Sequence, residues 1–454
     1  MEEKVNAKSE AVGPVTIAPA AIWRQIRGYP LRAFGICLFG WTFANMDQAL
    51  FGYAVPGIMK EFGISVQTMG WVFALSFAIS GALLPWLGSL VDHLGRKTMF
   101  QAAIVISSLF VTSVGAAPNL IALTILRGLG FAWGSVHAPI TFSIVVEESP
   151  ARYRGILTGA LQTGYPLGWF LASLGAAPIL TYLGWRPMFF IGLLSIPFVF
   201  VVRRFLRETG RFQGSFDERQ DAGSTSATTP LHLRRGAWAE VAPHFRLSWE
   251  KIRQLFEPDL RWRTLLLFFG VFLHTAAYGG SAFFFPTYFT AERGLDTGTV
   301  ALLIGTAYAI GTVGYILSAV VGEFFLTRRD TIILWTFLGT AMFLGLVWLL
   351  DSPLTVVLFF SLMTMFFYGA VGVKATFIAE LFPTRVRATG ISTGFCAVNL
   401  GIALGPLAVS YAVGHYGWNV AFSLFVAIPL FCSGLVFLLL PRIRSGVEVE
   451  EIAV

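Results

Sequence analysis

Residues 69–117 read MGWVFALSFAISGALLPWLGSLVDHLGRKTMFQAAIVISSLFVTSVGAA. Only Asp92, Arg96 and Lys97 are charged in this stretch, and they fall within six consecutive positions. The flanking blocks, 69–91 and 98–117, are almost wholly apolar. About 20 apolar residues rising 1.5 Å each cross the ~30 Å hydrocarbon core of a bilayer. A surface helix of a soluble protein would carry a polar stripe along such a length. The stretch therefore reads as two membrane-spanning helices joined by a short charged turn.

The same pattern extends over the chain. Of 454 residues, 56% are hydrophobic and 13% charged, against about 25% charged in soluble domains. Blocks of similar length give twelve expected spans: 33–57, 69–91, 98–117, 120–146, 155–183, 187–206, 264–289, 299–325, 331–350, 353–379, 388–414 and 418–440. Backbone amides in hydrocarbon need partners within their own segment, so the spans are expected to be helices; the ten-residue alternation of a barrel is missing. The expected organisation is an N-terminal segment 1–32, a six-helix bundle 33–206, a linker 207–263, a second bundle 264–440 and a tail 441–454.

Lysine and arginine fix an orientation. With a cytoplasmic N-terminus, 27 of the 32 basic residues lie on the inner side and three (Lys60, Arg186, Arg293) outside, with Arg127 and Lys374 inside spans. That bias follows the positive-inside rule. The formal charge of +7 then reports topology and excludes nucleic acid as a partner. Both termini are expected in the cytoplasm, with the chain in the plasma or inner membrane. About 30 polar residues precede the first apolar block, too long for a cleaved signal peptide, and residues 1–20 are expected to be disordered. The three cysteines, Cys37, Cys396 and Cys432, show no disulfide or metal-ligand spacing.

The chain also contains a weak internal repeat. Glu147-Glu-Ser-Pro-Ala-Arg152-Tyr-Arg154 matches Glu380-Leu-Phe-Pro-Thr-Arg385-Val-Arg387, and Gly184-Trp185-x-x-x-Phe189 matches Gly417-Trp418-x-x-x-Phe422, both at an offset of 233. A duplicated six-span unit joined at 207–263 accounts for both, and parallel halves of this kind place a solute site between them near the midplane. Near the linker's end Trp249, Ile252, Leu255 and Phe256 share a helical face, suiting either an interfacial helix or a plain tether.

The turn after span 2, Gly88-Ser-Leu-Val-Asp92-His-Leu-Gly95-Arg96-Lys97, resembles the Gly-x-Leu-x-Asp-x-x-Gly-Arg-Lys/Arg signature of the major facilitator superfamily. The resemblance implies an all-α fold of twelve transmembrane helices in two pseudo-symmetric six-helix bundles. It also implies a cytoplasmic latch built on Gly88, Asp92, Gly95, Arg96 and Lys97, with Arg152, Arg154 or the start of span 11 near Arg387 as candidate partners. The second copy, Gly322-Glu-Phe-Phe-Leu-Thr-Arg328-Arg329, lacks the aspartate, so the latch is expected to be asymmetric. Arg127-Gly128-Leu129-Gly130 resembles the superfamily's arginine–glycine motif. Glu380-x-x-Pro383-Thr384-Arg385-x-Arg387-Ala388-Thr389-Gly390 resembles a stretch of its metabolite:proton symporters for aromatic acids, sialate and sugars. Aromatic-acid symporters carry an Asp-Gly-x-Asp-like cluster in span 1; here Asn45-Met46-Asp47-Gln48 keeps one carboxylate.

A charge at a helix centre costs about 2.5–3.5 kcal/mol on insertion scales, so intramembrane ionisable residues are functional candidates. Asp47 in span 1 and Arg127 in span 4 differ in depth by only about 5 Å. They are expected to work together: Asp47 takes up a proton while Arg127 alternates between Asp47 and an anionic substrate. A permanent structural bridge is the alternative. His274 in span 7 can titrate near neutral pH or serve as a bonded core histidine, and His137 in span 4 is a weaker candidate. Lys374 in span 10 is placed either to bind an anion or to snorkel to the cytoplasmic face. Gln162, Tyr165, Tyr278 and Asn399 offer hydrogen bonds to a solute or to neighbouring helices. The Phe366-Phe367-Tyr368 run reads as packing or lipid contact, with a stacking platform as the alternative.

No phosphate loop or zincin motif occurs. The chain is expected to be a transporter, with no enzymatic activity and no cofactor. Its expected partners are a small-molecule substrate, protons and the lipid bilayer, with the chain acting as a monomer. The leading reading is proton-coupled symport of a small organic solute, a carboxylate above all. Proton-antiport efflux is the second, since span 5 holds Gly164-Tyr165-Pro166-Leu167-Gly168. Sugar uptake stays open, and a non-transporting receptor is disfavoured by the cavity charges.

Overall fold

The computed structural model describes residues 27–150, 154–208, 253–349, 352–383 and 386–443. It is all-helical over these residues. The first half holds α1 (Tyr29–Phe62), α2 (Val66–Leu94), α3 (Arg96–Val114) and α4 (Leu120–Ser135, resuming as His137–Glu148). It is completed by α5 (Arg154–Leu161 and Gly164–Tyr182) and α6 (Trp185–Met188, a 3₁₀ stretch Phe189–Ser195, then Phe198–Phe205). The second half holds α7 (Arg261–Ala282 and Phe285–Ala291), α8 (Thr297–Phe324) and α9 (Arg328–Trp348). Then follow α10 (Pro353–Met363, a widened π turn Thr364–Tyr368, then Val371–Glu380), α11 (Arg387–Tyr416) and α12 (Trp418–Phe422, a π turn Ser423–Ala427, then Ile428–Leu438).

Ten of these helices are long and apolar enough to cross a membrane by length and composition alone. α1 and α5 complete the twelve. α1 carries Asn45, Asp47 and Gln48, and α5 is interrupted at Gln162–Thr163, which keeps both below a purely compositional threshold.

The repeat seen in the sequence has a structural cause. Gly184 and Gly417 take φ of 83° and 77° at the entrances to α6 and α12. That conformation is open to glycine and costly for other residues, and it drops the following Trp185 and Trp418 into the core. The polar pair of each half is also duplicated: Arg96 of α3 bridges Glu147 of α4, and Arg328 of α9 bridges Glu380 of α10. Each of these pairs stays within its own half.

One face of the molecule carries the short connections 63–65, 183–184 and 292–296, here the loop face. The opposite face carries the start of α1, the end of α6 and the approach to α7, here the linker face. Leu255 and Leu260 on that approach are buried in the core with Leu267 and Phe437, while Phe256 is exposed. Trp249 and Ile252 lie outside the described residues.

The halves touch at the loop face. A Cβ on Gly305 of α8 would strike Ser173 of α5, one on Gly298 would strike Thr181, and one on Gly70 of α2 would strike Ser410 of α11. Gly70, Phe77, Gly81 and Gly88 lie within about 40° of one another around α2. Phe77 packs on Phe283 of α7, yet added methyl groups at Gly81 and Gly88 would meet nothing within 4 Å. On α11, Cys396 and Asn399 share the face of Ser410 and are exposed. The α2–α11 seam is therefore closed at the loop face and open toward the linker face. The α5–α8 seam holds along its length, with Gly159 of α5 close to Ala319 and Gly372.

Candidate functional site

Two adjoining environments each hold a pair of the residues singled out from sequence. The first lies inside the N-terminal half. α1 presents Trp41, Asn45, Asp47 and Gln48 to a cavity of about 90 Å³ that α3, α4 and α6 close with Val111, Arg127, Ser135 and Phe189. Small residues set the depth of Arg127: an added Cβ on Gly128 would meet Ile79 of α2 at 2.9 Å, and one on Gly130 would meet Val111 of α3 at 3.3 Å. The glycines let α4 seat tightly, so the arginine is held in the bundle interior.

Asp47 and Arg127 thus share one cavity, as their depths along the helices imply. They are not joined by an ion pair. Oδ1 of Asp47 and Nε and Nη2 of Arg127 are buried without a hydrogen-bond partner. The guanidinium is instead walled by aromatic faces, its Cζ lying 4.0 Å from the Phe51 ring centroid, 4.8 Å from Phe73, 5.2 Å from Phe77 and 5.9 Å from Phe283. Desolvated cation–π contacts reach about 2 kcal/mol, enough to hold the cation while its carboxylate stays apart. A permanent Asp47–Arg127 bridge is not what this conformation contains.

The second environment lies between the halves. Tyr165 and Trp169 of α5 meet Tyr278 of α7, Tyr308 of α8 and Tyr368 of α10. Trp169 stacks on Tyr308 at 4.9 Å and 12°, and Tyr165 stands edge-on to Tyr278 at 5.8 Å. Tyr278 stands edge-on to Tyr368 at 5.0 Å. The hydroxyls of Tyr165 and Tyr278 and the indole N–H of Trp169 have no partner, whereas the Tyr308 hydroxyl has that of Tyr368 as its neighbour. Tyr368 reaches Ser281 at 3.4 Å.

Trp169 and Tyr308 went unread in the sequence, and Tyr368 was assigned to packing. The π turn explains Tyr368: Thr364 donates to the Ala307 carbonyl at 2.8 Å, and the extra residue in that turn swings Tyr368 toward the seam and Phe367 onto His274. Such widened turns concentrate at functional sites.

The other candidates are scattered. His274 is buried with its ring edge-on to Phe367 at 5.1 Å and Nδ1 unpartnered. Lys374 is buried too, 5.9 Å from the Phe437 ring, so it does not snorkel to the linker face. His137 packs on Phe100 and its Nδ1 lies 3.0 Å from the Gly134 carbonyl, a helix-stabilising arrangement at the α4 break. Gln162 sits half-buried in the break of α5, and Asn399 is exposed in the open seam. Gly164 and Gly168 lie against the backbone of α1, where a Cβ on Gly168 would come 2.7 Å from Met46 N; that stretch has a packing explanation.

Of the gating motif, Gly88 lines the open seam and Gly95 turns the chain at φ 88°. Arg96 bridges Glu147, and the backbone N–H groups of Arg96 and Lys97 donate to the Glu208 carboxylate at 3.0 and 3.1 Å, a charged cap on α3. The side chains of Asp92, Arg152, Arg154 and Arg387 lie outside those described.

Comparison with known proteins adds four findings. A sequence family described as the Major Facilitator Superfamily matches residues 33–377 and 304–452. The niacin transporter of Acinetobacter baylyi is 25% identical over 450 residues, covering 94% of this chain and 98% of that protein. The cis,cis-muconate transport protein of the same organism is 26% identical over 378 residues, covering 80% and 83%. Among solved structures, a D-xylose-proton symporter superposes with a TM-score of 0.69 at 15% identity, over 91% of this chain and 99% of that one. The fold is shared.

Proposed function

The chain belongs to the Major Facilitator Superfamily, and we propose that it is a proton-coupled symporter of small organic anions. The observation that carries the reading is the shared cavity of Asp47 and Arg127, where a carboxylate and a guanidinium are both buried and both unpaired. An approaching guanidinium favours the ionised carboxylate, and its withdrawal favours proton uptake. A substrate carboxylate that engages Arg127 thereby frees Asp47 to take a proton, which ties the two loads together. His274 and Lys374 are the ionisable groups of the second half within this scheme, and Gln162 and Asn399 are hydrogen-bonding groups along the route. The relatives that carry niacin and muconate support an organic acid as the load.

The positive-inside bias supports placing the linker face in the cytoplasm of a cell whose plasma or inner membrane holds the chain as a monomer. The open α2–α11 seam then faces inward, and alternating access consists of rocking the halves about the midplane.

The test is uptake into proteoliposomes. An inward proton gradient should drive accumulation of nicotinate or benzoate, and Asp47→Asn should abolish accumulation while leaving counterflow exchange. Uphill, pH-driven uptake that survives in Asp47→Asn would remove Asp47 from coupling. Uptake restricted to neutral solutes would refute the organic-anion reading.

A further inference from the structure

The tyrosine cluster between the halves has features that packing alone does not explain. Buried hydroxyl and indole groups are nearly always hydrogen-bonded in folded proteins. Here two hydroxyls, of Tyr165 and Tyr278, and the Trp169 Nε1 are orphaned within one patch of touching rings. Apolar rings at those positions would fill similar volume without three unsatisfied polar atoms. The patch is also split: Tyr165 and Trp169 belong to one half, Tyr278, Tyr308 and Tyr368 to the other. The Trp169–Tyr308 stack is therefore a contact that rocking of the halves must change.

We propose that this cluster is the solute-binding site and that it selects a planar conjugated ring, with the tyrosine hydroxyls and the Trp169 N–H reading the ring's polar atoms. The proposal rests on the reading of the chain as a carrier of small organic anions, and it narrows that reading to aromatic or heteroaromatic acids.

The physical case is one of exchange. When Trp169 and Tyr308 separate, each loses an aromatic face, and a flat π-system inserted between them restores both contacts. A saturated ring of equal volume restores the contact area alone. The unpartnered hydroxyls of Tyr165 and Tyr278 and the Trp169 N–H belong to rings that touch this stack, within reach of polar atoms on such a ring. Arg127 adjoins through Phe283, which packs 6.4 Å from Trp169 and 5.9 Å from the guanidinium. A carboxylate on the ring's far side thus points toward the only cation of the N-terminal half's interior among the described residues.

Calorimetric titration of the purified full-length chain with four probes tests this. Nicotinate and benzoate should bind about tenfold tighter than cyclohexanecarboxylate. Trp169→Leu should bring the three within about threefold of one another, and Trp169→Phe should restore most of the preference. Tyr278→Phe and Tyr308→Phe should each weaken nicotinate about three- to tenfold with thermal stability retained.

Cyclohexanecarboxylate binding as tightly as benzoate would overturn the ring site while leaving the organic-anion reading intact. Nicotinamide binding as tightly as nicotinate, with the Trp169 dependence preserved, would support the ring site and remove the anion requirement. Failure of all four probes to bind a protein that melts normally would sink the assignment.

Discussion

Gly305 offers a direct test of how the two halves close. It sits on α8, and an added Cβ would collide with Cβ and Oγ of Ser173 on α5. Because Cβ is fixed to the backbone, rotation of the serine hydroxyl cannot relieve the clash. The two residues belong to different halves, so Gly305→Ala strains the loop-face-closed state and leaves the loop-face-open state unstrained. Overpacking of this kind costs about 1–3 kcal/mol. The gain in helix propensity, about 1 kcal/mol for Gly to Ala, is common to both states and drops out of their ratio. At 1.4 kcal/mol per decade the equilibrium should move roughly five- to 150-fold toward the loop-face-open state. Pulsed electron–electron distance measurements between spin labels at Lys60→Cys and Glu292→Cys, exposed on the loop face of opposite halves, read that ratio in a background without the three native cysteines. Gly314→Ala is the control. Its Cβ would meet the Met365 backbone within the same half, so it should lower the melting temperature without lengthening the distance. An unchanged distance distribution in Gly305→Ala, in a protein that melts normally, would refute the idea that the α5–α8 contact closes the loop face.

Four further outcomes are expected. Arg328→Gln removes the cation that Glu323 and Glu380 share; it should cost about 1–3 kcal/mol of stability by thermal shift, and adding Glu380→Gln should recover part of the loss. Glu61 accepts from Arg186 at 2.7 Å and from Trp185 at 2.8 Å, and the Arg186 hydrogen bond pulls its carboxyl below the ordinary glutamate value of 4.5. A depressed carboxylate stabilises the fold above its unfolded value and loses that contribution as pH falls through the folded one; melting curves of Glu61→Gln should therefore match wild type in strong acid and fall slightly below it near neutrality. Asp92→Asn should slow conformational cycling more than it weakens substrate binding, and a large affinity loss with unchanged cycling would count against a latch. Thr225→Cys should react with an impermeant maleimide only after the cells are permeabilised, and labelling in intact cells would invert the topology.

The sequence carried the architecture because lipid imposes a length that no soluble helix needs. Twelve blocks were countable, and the Gly184-Trp185 and Gly417-Trp418 pairs marked the duplication because a positive-φ turn tolerates few other residues. Asp47 and Arg127 were legible for a related reason. Hydrocarbon penalises charge, so a retained charge announces itself, and helical rise gives its depth. The aromatic site was hidden by the same logic. Tyr308, Tyr368 and Trp169 are acceptable to lipid, to a packed core and to a binding slot alike, so their presence in a span distinguishes nothing. Periodicity was no help, because lipid and protein interior are both apolar and a membrane helix has no polar stripe to point away from its neighbours. The facing of Tyr368 further depends on a π turn, and a turn widened by one residue leaves no mark in a span that is apolar on every side. Lys374 stayed ambiguous for the opposite reason: distance along the chain to Pro383 placed its charge within reach of the linker face, but reach says nothing about which neighbours surround the stem. What separated Trp169 from an ordinary buried tryptophan was an indole N–H without a partner. That is a property of the surroundings, visible only once three other helices are in place around it.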